Sequence, residues 1–241
     1  MRRLRLTTGP WALFGAFLLA ALLLFLPMRL VLGAVGVDDL GLSARRVGGS
    51  IWSGSLSEAR VGALPLGDLR AHLSPWPLFL GRARIELDGA GTLPGRALRG
   101  AVTMTRHGVA IDELTAGLAA GILFQPLPVS AINLDGVSVR FADGACVEAT
   151  GRVRATLGPG PAGLPLPPSL AGSIRCEGTS LLIPLTGQAG AEGITLRVEA
   201  DGRYRAEFAL PVADPALGQR LGTLGFIDTN GAWRLTAEGR F

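Results

Sequence analysis

Residues 194–208 read ITLRVEADGRYRAEF, and this stretch decides the fold. Apolar and polar side chains alternate on both sides of Asp201 and Gly202. A period of two is typical of a β-strand with one face in solvent and the other in a core. Asp-Gly supplies the positive φ that a tight hairpin turn needs. The stretch therefore predicts two antiparallel strands joined by a turn.

The same alternation occurs in residues 82–88 and 152–155, and short glycine-containing pairs separate such stretches. These pairs are Asp88-Gly89, Asp135-Gly136, Asp143-Gly144, Asp201-Gly202 and Asn230-Gly231. Successive strands joined by such turns form antiparallel sheet rather than βαβ units. We therefore expect a mainly β fold, with an elongated, curved antiparallel sheet after an N-terminal transmembrane helix.

Helical signals within the β-rich part are few. Residues 75–80 predict one short helical turn, with Ser74 at the N-cap and Pro75 at the first helical position. Residues 114–124 contain several apolar side chains but also two glycines, and they end just before a proline. They predict a weak helix or a crossover loop.

An apolar run opens the chain. Residues 6–28 hold 23 residues without a charge, and a rise of about 1.5 Å per residue makes them roughly 34 Å long as a helix. That length can span a bilayer. Arg2, Arg3 and Arg5 precede the run, whereas only Arg29 follows it closely. The positive-inside bias therefore predicts a cytoplasmic N-terminus.

This run sets the expected layout of the chain. We expect a cytoplasmic tail over residues 1–9, a transmembrane anchor over residues 10–32 and a periplasmic β-rich domain over residues 33–241. A cleaved secretory signal is the alternative, but its apolar region is shorter and no A-x-A site follows the run. Two prolines near residue 126 predict a boundary between halves at residues 33–125 and 126–241.

The charges exclude one class of function. All 23 basic residues are Arg, and the four near the anchor account for the whole net charge of +4. The predicted periplasmic domain, residues 33–241, is therefore neutral, with 19 basic and 19 acidic residues. A neutral domain lacks the basic surface that binds nucleic acid.

The sequence contains no compatible set of catalytic residues. The two histidines, His72 and His107, lack metalloprotease spacing, and no G-x-S-x-G occurs. Gly158, Gly160 and Gly163 match G-x-G-x-x-G, but prolines break the strand-to-helix transition that this motif needs. We therefore expect no enzyme, no metal and no cofactor. An unrecognised periplasmic hydrolase is kept as a third hypothesis.

Two tryptophans stand in unusual surroundings. Trp52 lies in GGSIWSG at residues 48–54, and Trp76 lies in LSPWPLFLG at residues 73–81. A large rigid aromatic side chain beside glycine or proline suits a partner contact. Trp52 and Trp76 are therefore candidate partner contacts. The alternative is that both indoles pack in the core.

The two cysteines flank a loop rich in proline and glycine, GPGPAGLPLPP, at residues 158–168. A hairpin centred near position 161 would place Cys146 opposite Cys176, where a disulfide is geometrically plausible. Two buried free thiols are the alternative. No C-x-x-C motif is present, so thiol catalysis is not expected.

Taken together, these features resemble the type II secretion system protein N family. The resemblance lies in the Arg-bearing tail, the anchor, the GSIWSG segment and the LFLG that follows it at residues 78–81. The signature residues are Gly49, Ile51, Trp52 and Gly54. Cys146 and Cys176 look like the cysteine pair of that family.

The resemblance implies a single-pass inner-membrane protein whose periplasmic domain is an accessory of the secretion machine. Its expected partners are the inner-membrane platform and the secretin, and the family implies no catalytic residues. The runner-up is an AsmA-like protein, whose curved sheet shields lipid acyl chains in a groove. An accessory should close the inner face of the sheet by packing, whereas a lipid conduit should leave an open apolar trough.

Overall fold

The computed structural model describes residues 10–25, 28, 42–119, 124–160, 166–188, 190, 192–212, 214–229 and 231–240. Most of these residues form one antiparallel sheet of 16 strands. The helices are α1 (Pro10–Leu24), α2 (Pro75–Leu78) and α3 (Pro215–Thr223). The first eight strands are β1 (Leu42–Ser43), β2 (Arg46–Ser50), β3 (Ser53–Val61), β4 (Leu64–Ser74), β5 (Ala83–Gly89), β6 (Leu98–Thr105), β7 (Gly108–Ala119) and β8 (Val129–Ala142). The others are β9 (Ala145–Leu157), β10 (Ser169–Ser173), β11 (Arg175–Glu177), β12 (Ser180–Thr186), β13 (Gly193–Val198), β14 (Arg203–Pro211), β15 (Ile227–Thr229) and β16 (Ala232–Arg240).

The order of the strands in the sheet follows the order of the chain. β1 and β2 both pair with β3 at one edge, and β10 and β11 both pair with β12 in the interior. The single exchange is at the other edge, where β16 lies between β14 and β15. The predicted mainly β, antiparallel fold is confirmed.

Several predicted turns and elements are confirmed. Asp143 and Gly144 alone join β8 to β9, with φ of 49° and 80°. Gly202 lies in the connection from β13 to β14, and Gly231 lies between β15 and β16. The predicted Asn230 lies outside the described residues. α2 begins at Pro75 as predicted, although the Ser74 side chain makes no capping hydrogen bond.

Two predicted turns are wrong. Asp88 and Gly89 are the last two residues of β5, where Gly89 pairs with Leu98 of β6, and the chain turns only after them. Asp135-Gly136 lies inside β8, at an irregularity in its pairing with β9. Gly136 has a φ of 57° there, and its N–H donates to the Thr115 hydroxyl at 3.2 Å. The positive φ that indicates a turn serves a β-bulge at this position.

The weak helix or crossover loop predicted at residues 114–124 is wrong for residues 114–119, whereas residues 120–123 lie outside the described part of the chain. Residues 114–119 continue β7, and Leu118 pairs with Ile132 of β8. The connection at residues 90–97 covers the end of this strand, where the Thr92 hydroxyl accepts the Ala119 N–H at 2.9 Å. Leu93 and Arg96 of this connection also lie over Gly117, where a Cβ would be 2.6 Å from the Arg96 Cβ, and residues 116–118 are all buried. Both faces are therefore covered, which removes the alternation that marks the other strands.

The sheet curls. Irregular pairing interrupts the ladders between β3 and β4, β6 and β7, β7 and β8, and β8 and β9. Glu58 and Glu113 have positive φ, 52° and 50°, at two of these interruptions. Bulges bend a strand and increase its twist. Cα atoms of β4 and β7 consequently come within 8 Å although two strands separate them in the sheet.

Buried apolar side chains form two clusters. The first consists of Leu56, Ala59, Leu69, Ala71, Leu98, Ala116 and Leu118. The second draws on residues 124–237, and its most buried large side chains are Phe208, Leu170, Leu210 and Leu221. Leu64, Leu114 and Leu134 pack against both clusters. The division into halves at residue 125 stays a prediction.

The N-terminal segment is described only in part. α1 is 15 residues long, and the described residues contain no helix with the length and apolar character needed to cross a membrane. The predicted tail at residues 1–9 and most of residues 26–32 lie outside the described part. Met28 is described, and its side chain packs against the first cluster.

Candidate functional site: the Trp52 end of the sheet

The connections alternate between the two ends of the sheet because the strands are antiparallel. The hairpin turn at Ile51 and Trp52 lies at one end, which we call the Trp52 end. The other connections at this end are residues 75–82, 106–107, 143–144, 178–179 and 199–202. The opposite end carries most of the longer connections. The topology therefore brings both candidate tryptophans, on neighbouring hairpins, to the same end.

The signature residues form the β2–β3 hairpin. Gly49 pairs with Gly54, and Ser50 pairs with Ser53 beside the turn. Gly49 has a φ of +84°, and a Cβ there would lie 2.4 Å from the Ser53 carbonyl oxygen. The turn thus requires glycine for both its backbone conformation and its close approach. Trp52 is half-buried at the tip of this hairpin.

Gly54 is the point where the N-terminal segment meets the sheet. It is buried, and a Cβ at this position would overlap the Met28 sulfur. A larger residue at 54 would therefore displace Met28 from the β2–β3 hairpin. The absence of a side chain at Gly54 permits this contact.

Residues 76–80 project from the next hairpin, and we call them the apolar knob. Pro75 and Pro77 lack the N–H that would continue the ladder between β4 and β5, so the chain turns through α2 instead. Three of the knob side chains are almost fully exposed: Trp76 at 80%, Phe79 at 83% and Leu80 at 77%. The rings of Trp76 and Phe79 lie 6.2 Å apart.

Backbone hydrogen bonds hold the knob in shape. The Phe79 N–H donates to the Trp76 carbonyl at 3.3 Å, and the Leu80 and Arg82 N–H groups both donate to the Pro77 carbonyl at 3.0 Å. The exposed rings are therefore presented on a fixed turn rather than on a free loop.

A groove of about 820 Å³ separates the knob from the polar face of the sheet. Arg84 of β5 lies in it, and its Nη1 is 2.6 Å from Asp112 Oδ2 of β7. The Thr103 hydroxyl donates to the same oxygen at 3.1 Å. Neither ionic side chain is deeply buried. The groove therefore has the apolar knob side chains at its rim and an ion pair at its base.

Several other charged side chains at the Trp52 end are paired, although Arg82 and Arg106 form no ion pair among the described residues. Arg140 and Glu148 form an ion pair across β8 and β9, and His107 Nδ1 lies 3.4 Å from Asp143 Oδ1. Arg203 contacts Asp201 at 2.7 Å, and the Arg203 backbone N–H lowers the pKa of the Asp201 carboxyl below its ordinary value. This end therefore presents apolar side chains beside charges of which most are paired.

A disulfide joins Cys146 and Cys176, whose Cα atoms are 5.5 Å apart. The β9–β10 register differs from the predicted one by three residues, since the Cys146 N–H donates to the Thr179 carbonyl at 2.9 Å. The ladder breaks at Ile174, where the chain changes from β10 to β11. That break brings Cys176 to Cys146 although the two are not register partners.

The described residues assemble no cluster that could hold a metal ion. His72 lies exposed on β4 opposite Glu86, and His107 lies exposed in a turn. Within this part of the chain, no three His, Cys, Asp or Glu side chains come together to hold a metal ion. Trp76 was predicted as a contact residue from the sequence, whereas Phe79 and Leu80 were not. Pro75 and Pro77 were the available sequence signal for this exposed turn, because neither proline can donate the backbone hydrogen bond that strand pairing needs.

The family model described as type II secretion system (T2SS), protein N matches residues 40–236. The match covers most of the chain, including the Trp52 hairpin, the knob and both cysteines. No curated protein and no solved structure matches the chain significantly.

Proposed function

Because the chain belongs to the type II secretion system protein N family, we propose that it is a non-enzymatic structural accessory of that apparatus. Residues 10–32 anchor it once in the inner membrane, with residues 1–9 in the cytoplasm. The elongated sheet domain stands in the periplasm. There it holds or positions other components, namely the inner-membrane platform and the secretin.

The β2 edge beside Trp52 carries this proposal. Within the described residues β2 pairs only with β3, so its other side offers unpaired backbone groups. An exposed edge accepts a strand from a partner, and a neighbouring aromatic side chain adds specific contact area. The β2 edge and Trp52 are therefore the proposed partner surface, and the disulfide stabilises the domain that presents it.

The packing of the inner face favours this role over an AsmA-like lipid conduit. Ala155 and Ala206 are small inward residues that would leave space in an open trough, yet both are 1% exposed. Phe124, from the β7–β8 connection, and Leu221 of α3 help to fill that face. The second cluster is thus closed by side chains, as an accessory requires.

The test compares two half-buried tryptophans at opposite ends of the sheet. Trp52→Ala should weaken association with secretion components more than it lowers Tm. Trp233→Ala is the control, because Trp233 packs against Gly218 of α3 far from the β2 edge. It should lower Tm and leave association unchanged. Equal losses of association and Tm in Trp52→Ala would show that Trp52 is only a packing residue.

The partners can be identified by brief crosslinking of the full chain in its native membrane, followed by mass spectrometry. Recovery of platform or secretin components supports the accessory role. Stoichiometric bound phospholipid without those components would support the AsmA-like alternative instead.

A further inference from the structure

Exposed apolar side chains are unevenly distributed between the two ends of the sheet. Among the described residues from 42 onward, seven large ones lie near the Trp52 end: Trp76, Leu78, Phe79, Leu80, Met104, Val109 and Val147. Two lie towards the opposite end: Leu224 and Ile227. Single exposed apolar residues are ordinary, but a concentration of them marks a contact surface.

The N-terminal apolar helix reaches the sheet at this same end. Met28 packs against Gly54, next to the Trp52 turn. The last described residue of the helical segment before it is Phe25, and three residues span at most about 11 Å. The C-terminal end of α1 therefore lies beside the Trp52 end of the sheet.

We propose that the Trp52 end faces the bilayer and that the apolar knob inserts into the lipid–water interface. The inference rests on the proposed anchoring of residues 10–32. An indole has an apolar body and a polar N–H, so tryptophan favours the interface, and Phe79 and Leu80 supply side chains for the acyl boundary. The knob thus forms a second membrane contact that fixes the orientation of the domain.

Apolar burial, rather than charge, drives this contact. Of the charges that line the groove beside the knob, Arg84 is paired with Asp112 and Arg140 with Glu148, whereas Arg82 forms no ion pair among the described residues. The predicted periplasmic domain, residues 33–241, has no net charge. The contact therefore forms on zwitterionic lipid and resists salt, unlike the attraction of a basic segment to anionic lipid.

The experiment places an environment-sensitive fluorophore at single introduced cysteines in the full chain, reconstituted in phosphatidylcholine bilayers with and without brominated acyl chains. The natural cysteines form a disulfide, so only the introduced thiol is labelled. Phe79→Cys reports on the knob, and Leu13→Cys in α1 reports on the anchor. Ile227→Cys is the matched control, since Ile227 is 71% exposed near the opposite end.

We expect bromolipid to quench the label at position 79 at least two-fold at low and high salt, and to leave the label at position 227 unchanged. Adding Trp76→Ser and Leu80→Ser to Phe79→Cys should reduce the quenching. A label at position 79 that stays in water while the one at position 13 is quenched would overturn the knob contact but keep the anchor. Quenching at 79 without quenching at 13 would instead overturn the anchor.

Protection of position 79 by purified secretion components, without quenching by bromolipid, would identify the knob as a protein contact. That result would also overturn the proposal.

Discussion

Phe124 and Tyr204 meet edge to face, with ring centroids 5.6 Å apart, although five strand pairings separate their parts of the sheet. Phe124 comes from the connection between β7 and β8, whereas Tyr204 belongs to β14. Their contact shows that the β7–β8 connection reaches across the concave face of the curled sheet. It joins distant strands into one core.

Phe124→Ala should therefore destabilise the domain strongly. Phe124 is 4% exposed in the larger cluster, and its truncation should lower the free energy of unfolding by about 3–5 kcal/mol. Phe79→Ala is the matched control, because Phe79 is 83% exposed, and it should change stability by no more than about 0.5 kcal/mol. Denaturant unfolding of both variants measures the difference. Similar losses would contradict the assignment of Phe124 to the core.

Tyr204 should make the domain sensitive to alkaline pH. Burial raises the pKa of its phenol above the ordinary value of 10.0, so the folded state holds this proton more tightly than the unfolded state. The resulting stability is fully present below pH 10 and is lost as pH rises through the raised pKa. Tm should therefore fall more steeply above pH 10 in the natural chain than in Tyr204→Phe.

Few other groups titrate in the same pH range as Tyr204. Tyr204 is the only tyrosine, and the chain has no lysine. Tyrosinate absorbance then reports on this one residue, while arginine stays charged. An ordinary tyrosine pKa in the folded protein, together with equal alkaline loss of Tm in Tyr204→Phe, would refute the expectation.

Gly49→Ala should destabilise the signature hairpin more than the same change at Gly95. Both glycines have similar positive φ, +84° and +74°, which costs an alanine about 1–2 kcal/mol. Only at Gly49 does the new Cβ also meet backbone, 2.4 Å from the Ser53 carbonyl oxygen, whereas Gly95 faces open space. Thermal unfolding of the two variants isolates the steric part. Equal shifts in Tm would remove the steric requirement at the hairpin.

Loss of the disulfide should lower stability by about 3 to 4 kcal/mol, because the bond closes a loop with a sequence separation of 30. The double variant Cys146→Ser/Cys176→Ser tests this without leaving a free thiol. A reductant should lower Tm of the natural chain towards that of the double variant and should not affect the variant itself. An unchanged Tm in the variant would contradict a stabilising role.

The sequence was sufficient to predict a strand wherever one face of that strand lies in solvent. Arg203 and Arg205 alternate with Tyr204 and Ala206, and the structure buries the apolar pair on one side of β14. The end of β7 was missed because residues 90–97 cover its second face, so Gly117 and Leu118 are both buried. Periodicity cannot indicate a strand when both faces are covered.

The candidate site could likewise be predicted only in part. The glycines around Trp52 and the prolines around Trp76 mark positions where the backbone leaves the ordinary ladder. The alternation of apolar and polar residues indicates which side chains are buried, not which apolar side chains stay exposed. Phe79 and Leu80 were therefore not predicted as contact residues. The register of β9 and β10 near the disulfide could not be predicted either, because the interruption at Ile174 has no periodic signal in the sequence.

The order of strands has a consequence for how the chain folds. Nearly every strand pairs with one that precedes it closely in sequence. A chain delivered to its compartment from the N-terminus can therefore add strands singly to a growing ladder, without waiting for distant segments. The contact between Phe124 and Tyr204 then forms late, once β14 has emerged. Its formation would close a sheet whose backbone pairing is already largely complete.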